Sequence, residues 1–125
     1  MITVELVKHS EQRYDTVGDW QFDPGMIAPG STRSLKIKVS ETGVPEYNQL
    51  LTIHEIIEAV LCKNAFIGEN EVDHWDQSHL VSPDPGSIKG CPYYDQHRMA
   101  SIIERMLADE MGVDWDDYEK TLEEL

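Results

Sequence analysis

Apolar and polar residues alternate at the start of the chain. Ile2, Val4 and Leu6 are separated by Thr3 and Glu5, a period of two that predicts a strand with one apolar face. Trp20 and Phe22 repeat the pattern more weakly beside Asp19 and Gln21. Leu35, Ile37 and Val39, set between Lys36, Lys38 and Ser40, make the clearest strand of the three. Its outer lysines read as those of an edge strand guarded against pairing with a neighbouring chain. Asp23-Pro24-Gly25 and Pro29-Gly30-Ser31 mark a turn-rich connection before it.

After Thr42-Gly43-Val44-Pro45 the period lengthens to that of a helix, over about 46–64. There Leu50, Ile53, Ile56, Ile57, Val60 and Leu61 form one apolar arc. The polar stretch 69–76 predicts a further short helical piece, and Ser82-Pro83-Asp84-Pro85-Gly86 reads as loop. A second long helix is expected over 95–111, with Met99, Ile102, Ile103, Met106 and Leu107 as its core face and Gly112 as its stop. Asp114 then caps a last short helix in which Trp115, Tyr118, Leu122 and Leu125 share a face. Strands come first and helices after. The expected class is α+β: antiparallel N-terminal strands, two long helices and a short C-terminal helix.

At 125 residues the chain suits one domain, 1–125. Lys and Arg total 10 against 24 Asp and Glu, a net charge of -14. So acidic a surface repels phosphate backbones and argues against nucleic-acid binding, while it attracts cations. No apolar run reaches the roughly 18 residues needed to cross a bilayer, and the first residues lack the basic start and apolar core of a secretion signal. Cys62 and Cys91 are expected to stay reduced. The expected setting is the cytoplasm, with neither membrane nor nucleic acid as partner.

Chemistry concentrates in His54-Glu55-Ile56-Ile57-Glu58. His54 borders the apolar arc and Glu58 lies one turn on, so an imidazole and a carboxylate project together toward one ion. Glu55 is rotated by about 100° and sits beside that ion, where a general base belongs in metal-assisted hydrolysis.

The pattern resembles the HExxH helix of zincin-type metallopeptidases, with glutamate in place of the second histidine. The order resembles a minimal zincin, in which an antiparallel sheet precedes the metal-bearing helix; the resemblance spans about 35–104. It implies a divalent ion, Zn²⁺ or, given the carboxylate at Glu58, Mn²⁺ or Fe²⁺. It implies hydrolysis of a peptide or protein substrate, with Glu55 catalytic. Leu61-Cys62, Val72-Asp73 and the segment His97 to Glu104 also resemble a group of small phage-encoded proteins, which would place the chain in a host cytoplasm.

On the second long helix, His97 and Glu104 lie two turns apart on one line, among small residues Ala100, Ser101 and Ala108. An inward carboxylate is costly unless paired or bound to a cation. The expected metal set is therefore His54, Glu58, His97 and Glu104. Glu104 serves either as fourth ligand or as the acceptor that orients an imidazole, and Asp76 and His79 stand in reserve. Four alternatives remain open. A Glu104–His54 or Glu104–Arg salt bridge would merely pin the helices. The same ligands would serve a non-catalytic, metal-stabilised binding protein. Cys62, His74, His79 and Cys91 offer a Cys₂His₂ zinc site. Glu55-x-x-Glu58 with Asp73-x-x-Asp76 resembles the Mg²⁺ site of all-α nucleoside triphosphate pyrophosphatases.

Overall fold

The computed structural model describes residues 1–22, 34–80, 82 and 84–125. Both turn motifs expected before the third strand lie outside them. Three strands, β1 (Ile2–Val7), β2 (Gly18–Phe22) and β3 (Leu35–Ser40), precede four helices, α1 (Pro45–Asn64), α2 (Glu69–Ser78), α3 (Tyr94–Glu110) and α4 (Trp115–Glu123). The class is α+β. A 3₁₀ turn at Pro85–Ser87 interrupts the stretch expected to be plain loop. Asp114 caps α4 as expected, accepting a hydrogen bond from the Asp117 amide at 3.0 Å. Gly112, at φ +71, takes the left-handed position that ends α3, with Val113 N–H returning to Ala108 O.

The sheet corrects two expectations. It is mixed, not antiparallel: the order is β1-β3-β2, with β1 parallel and β2 antiparallel to β3. Lys36 and Lys38 therefore guard no edge, because β3 is the central strand. Lys38 lies between Glu5 of β1 and Asp19 of β2 in the register, so opposite charges face one another across the strands. Alternation reports which face a side chain takes but says nothing of strand order or direction.

Helix α1 lies across β2 and β3, and α3 packs on α1. Trp20, Leu35, Ile37, Val39 and Leu50 are buried between the layers. No described helix covers β1 in the same way, and Ile2, Val4 and Leu6 stay 53%, 44% and 48% exposed.

Both long helices are also rotated from the apolar arcs the sequence implies. On α1 the buried side is Leu50, Leu51, His54, Glu55, Glu58, Ala59 and Cys62; Val60, expected inside, is exposed. On α3 the buried residues are Ala100, Glu104 and Ala108, whereas Met99, Ile102 and Met106 face out. The reason lies in the contact between the helices. Alanines let the backbones approach closely, and the polar residues between them satisfy one another, so the acid-and-histidine side turns inward. No described helix is long and apolar enough to cross a membrane.

Candidate metal centre

Pro45 starts α1 at a position where its missing N–H costs nothing, and three turns later the helix delivers His54, Glu55 and Glu58. Across the helix contact α3 delivers His97 from its first turn and Glu104 two turns on. The ligand atoms of His54, Glu58 and His97 converge, and this is the group among the described residues able to hold a metal ion. His54 Nε2 lies 3.2 Å from Glu58 Oε2 and 3.2 Å from His97 Nδ1, and His97 Nδ1 lies 2.8 Å from Glu58 Oε2. A tetrahedral ion with bonds of about 2.0–2.1 Å separates its ligands by roughly 3.3 Å. The triangle would need to open only slightly.

The remaining atoms of the three side chains are engaged on their outer sides. His54 Nδ1 meets Glu104 Oε1 at 2.8 Å, and Glu104 Oε2 accepts the Tyr118 hydroxyl at 2.5 Å. His97 Nε2 meets Asp84 Oδ1 at 3.0 Å. Glu58 Oε1 accepts Trp20 Nε1–H at 3.0 Å. In the neutral tautomers these bonds place each ring proton on the outer nitrogen and each lone pair inside the triangle. Two lone pairs and a carboxylate oxygen then face one another, an arrangement stable only around a cation or around protons.

Protons take that place in the chain alone. Burial disfavours the His54 imidazolium, but hydrogen bonds to Glu104 and Glu58 outweigh it and raise the pKa well above the usual value. Burial opposes the charged form of His97 too, yet Asp84 and Glu58 raise its pKa to about 9. The same two histidines overcome the burial of Glu58 and lower its pKa to about 2.

Glu55 differs from its neighbours. It is buried, lines the same cleft, and forms no side-chain hydrogen bond among the described residues. Burial, with the nearby charge of Glu58, pushes its pKa well above the carboxylate range. Gly18 makes room for it, since a Cβ at that position would collide with the Glu55 carboxyl.

Of the expected ligand set, three residues meet at one point and Glu104 does not. It stands behind His54 with both oxygens occupied, so its geometry is that of an orienting acceptor, not a fourth ligand. Neither reserve residue joins the triangle, although Asp76 lines the same cleft. Asp76 accepts the Tyr93 hydroxyl, and burial raises its pKa to about 6. His79 stacks on Trp75 at 4.0 Å. The Cys₂His₂ combination does not assemble among the described residues: both thiols are buried and free, and burial pushes Cys62 up to about 12. Asp73, from the acidic-pair alternative, is bound to Arg13 at 3.0 Å and to the Tyr14 hydroxyl at 2.9 Å.

Sequence reasoning missed Asp84, Trp20 and Tyr118. Asp84 sits in a Pro-rich stretch that reads as loop, while Trp20 and Tyr118 read as core aromatics. Their polar ends show only once the helices are docked. Gly86 carried the one available signal, a glycine beside a proline: a Cβ there would come within 2.5 Å of the His97 ring.

A cleft of about 650 Å³ opens onto the triangle and is lined by Gly18, Trp20, Glu55, Asp76, Tyr93 and Trp115 among others. Set against protein-family models, curated proteins and solved structures, the chain matches none.

Proposed function

We propose that the chain is a metal-dependent hydrolase, zincin-like in its use of a helix-borne His-Glu pair, that acts on peptide bonds. The observation that carries this reading is the triangle of His54 Nε2, Glu58 Oε2 and His97 Nδ1, backed on each imidazole by a carboxylate and open on one side to a cleft. Two histidines and one carboxylate suit Zn²⁺ in hydrolases and Fe²⁺ or Mn²⁺ elsewhere. The bound ion would polarise a carbonyl and acidify water.

The protein's own part follows from its geometry. Glu104 and Asp84 hold the two imidazoles in the tautomer that presents a lone pair. Trp20 fixes one oxygen of Glu58 so that the other points inward. Glu55, unbonded and facing the cleft, would be drawn to its ionised form by a divalent charge beside it; it could then take a proton from water, and its raised pKa suits passing that proton on to a leaving amine. The described cysteines are free and buried, which fits the reducing cytoplasm we assign to the protein.

A non-catalytic, metal-stabilised protein is the second reading, favoured by the His54–Glu104 pair, which also ties α1 to α3. Coordination separates the two, because a structural site is closed by protein ligands. The deciding experiment is metal analysis of protein purified without added metal. It is followed by cleavage assays on a peptide library with wild type and Glu55→Gln. Bound metal with cleavage that Glu55→Gln abolishes supports the hydrolase. Bound metal with no cleavage supports the structural role, and no metal at all removes both.

A further inference from the structure

We infer that the cleft selects peptide segments bearing lysine or arginine side chains, an inference that rests on the hydrolase reading for its chemistry but not for its binding. The walls are strongly acidic. Glu69, Asp76, Asp84, Glu119 and Glu123 line the cleft, against Arg98 and Arg105 among the described lining residues. Arg105 is partly occupied, its guanidinium lying 5.3 Å from the Trp115 ring centre. Arg13 bridges Asp19 and Asp73 and offsets one of those two acidic charges. Even a divalent ion in the triangle is matched by the nearby charges of Glu58 and Glu104, so the loaded site does not reverse the sign of the walls.

Glu55 supplies an independent indication that something polar enters. The residue is 8% exposed, lines the cleft and has no side-chain hydrogen-bond partner among the described residues. A buried polar group left in that state is costly unless a ligand or water completes it. Aromatic rings at Trp20, Tyr93 and Trp115 give the walls apolar faces against which an alkyl or guanidinium side chain packs. Phosphorylated or acidic ligands meet repulsion along the same walls. The volume falls in the range of small-ligand sites, so it takes a short extended segment and not a folded partner.

The test uses the full chain loaded with Zn²⁺ or Mn²⁺ and three fluorescent peptides of equal length, carrying two lysines, two glutamines or two glutamates. Fluorescence anisotropy at low salt should show the lysine peptide binding about tenfold or more tighter than the glutamine peptide, with the gap narrowing at about 0.15 M salt. The glutamate peptide should not bind. Glu119→Gln/Glu123→Gln, on exposed α4 positions, should weaken the lysine peptide several-fold. Glu5→Gln/Glu110→Gln, with the same change of net charge but outside the cleft, should leave it unchanged. Equal binding of lysine and glutamine peptides, equal effects of the two double variants, or no binding of the lysine peptide overturns the inference. Cleavage measured on the same samples separates the two readings. Cleavage without charge preference removes this inference and leaves the hydrolase. Selective binding without cleavage removes the hydrolase and leaves the cation-selecting cleft.

Discussion

His54 Nδ1 and Glu104 Oε1 lie 2.8 Å apart, a buried pair joining α1 to α3 across 50 positions of sequence. The pair directs the other nitrogen of His54 into the triangle with Glu58 and His97. Glu104→Gln should therefore keep one metal per chain but weaken its affinity about 10–100-fold, read by competition with a chromophoric chelator. Glu104→Ala also strands the buried Tyr118 hydroxyl and the His54 N–H, and should cost about 1–3 kcal/mol in denaturant unfolding.

Removing a ligand differs from removing the base. His54→Ala, Glu58→Ala and His97→Ala should each abolish stoichiometric binding of a divalent ion in equilibrium dialysis. Glu55→Gln should leave binding intact and eliminate hydrolysis. Equal metal loss in all four variants contradicts this division of roles.

Metal binding must displace protons, because the pKa of His97 stands at about 9 and that of His54 is also raised. Affinity should rise with pH up to about 9, by roughly tenfold per pH unit for each proton displaced. Calorimetry in buffers of different ionisation enthalpy measures the protons released. Stability of the metal-free protein should run the other way. A raised histidine pKa contributes stability that is complete below the ordinary value of 6.5 and is lost as pH rises through about 9. The lowered pKa of Glu58 contributes stability present above its ordinary 4.5 and lost as pH falls through about 2. From these groups, melting temperature without metal should be highest between those two ordinary values.

Gly86→Ala places a methyl group against the His97 ring. Overpacking of this kind typically costs about 1–3 kcal/mol, but the larger effect should fall on the metal, as His97 is pushed out of the triangle. Loss of affinity greater than the matched loss of stability, compared by chelator competition and urea unfolding, checks this.

The outward side of α3 offers a control. Met106, 64% exposed, should tolerate Met106→Gln within about 0.5 kcal/mol. Ala108→Leu, at a fully buried position beneath the helix contact, should cost about 1–3 kcal/mol. Equal costs would restore the apolar arc of Met99, Ile102 and Met106 to the core.

Local pattern was enough for the elements. Period two marks the faces of β1 and β3, the change of period after Pro45 locates α1, and Asp114 and Gly112 announce their caps, because each signal is written in residues a few positions apart. The i and i+4 spacing of His54 and Glu58 and the two-turn spacing of His97 and Glu104 are local in the same sense, so the residues of the centre were legible before their arrangement. Three features were not. The parallel pairing of β1 with β3 depends on a crossover that alternation does not record. The outward turn of Val60, Ile102 and Met106 follows from the close approach of α1 and α3 along buried Ala59, Ala100 and Ala108. Only that approach lets His and Glu neutralise one another out of water. The outer partners Asp84, Trp20 and Tyr118 come from a turn, a strand and a last helix far apart in sequence, and a hydrogen bond between such residues exists only after packing has brought their polar atoms within about 3 Å.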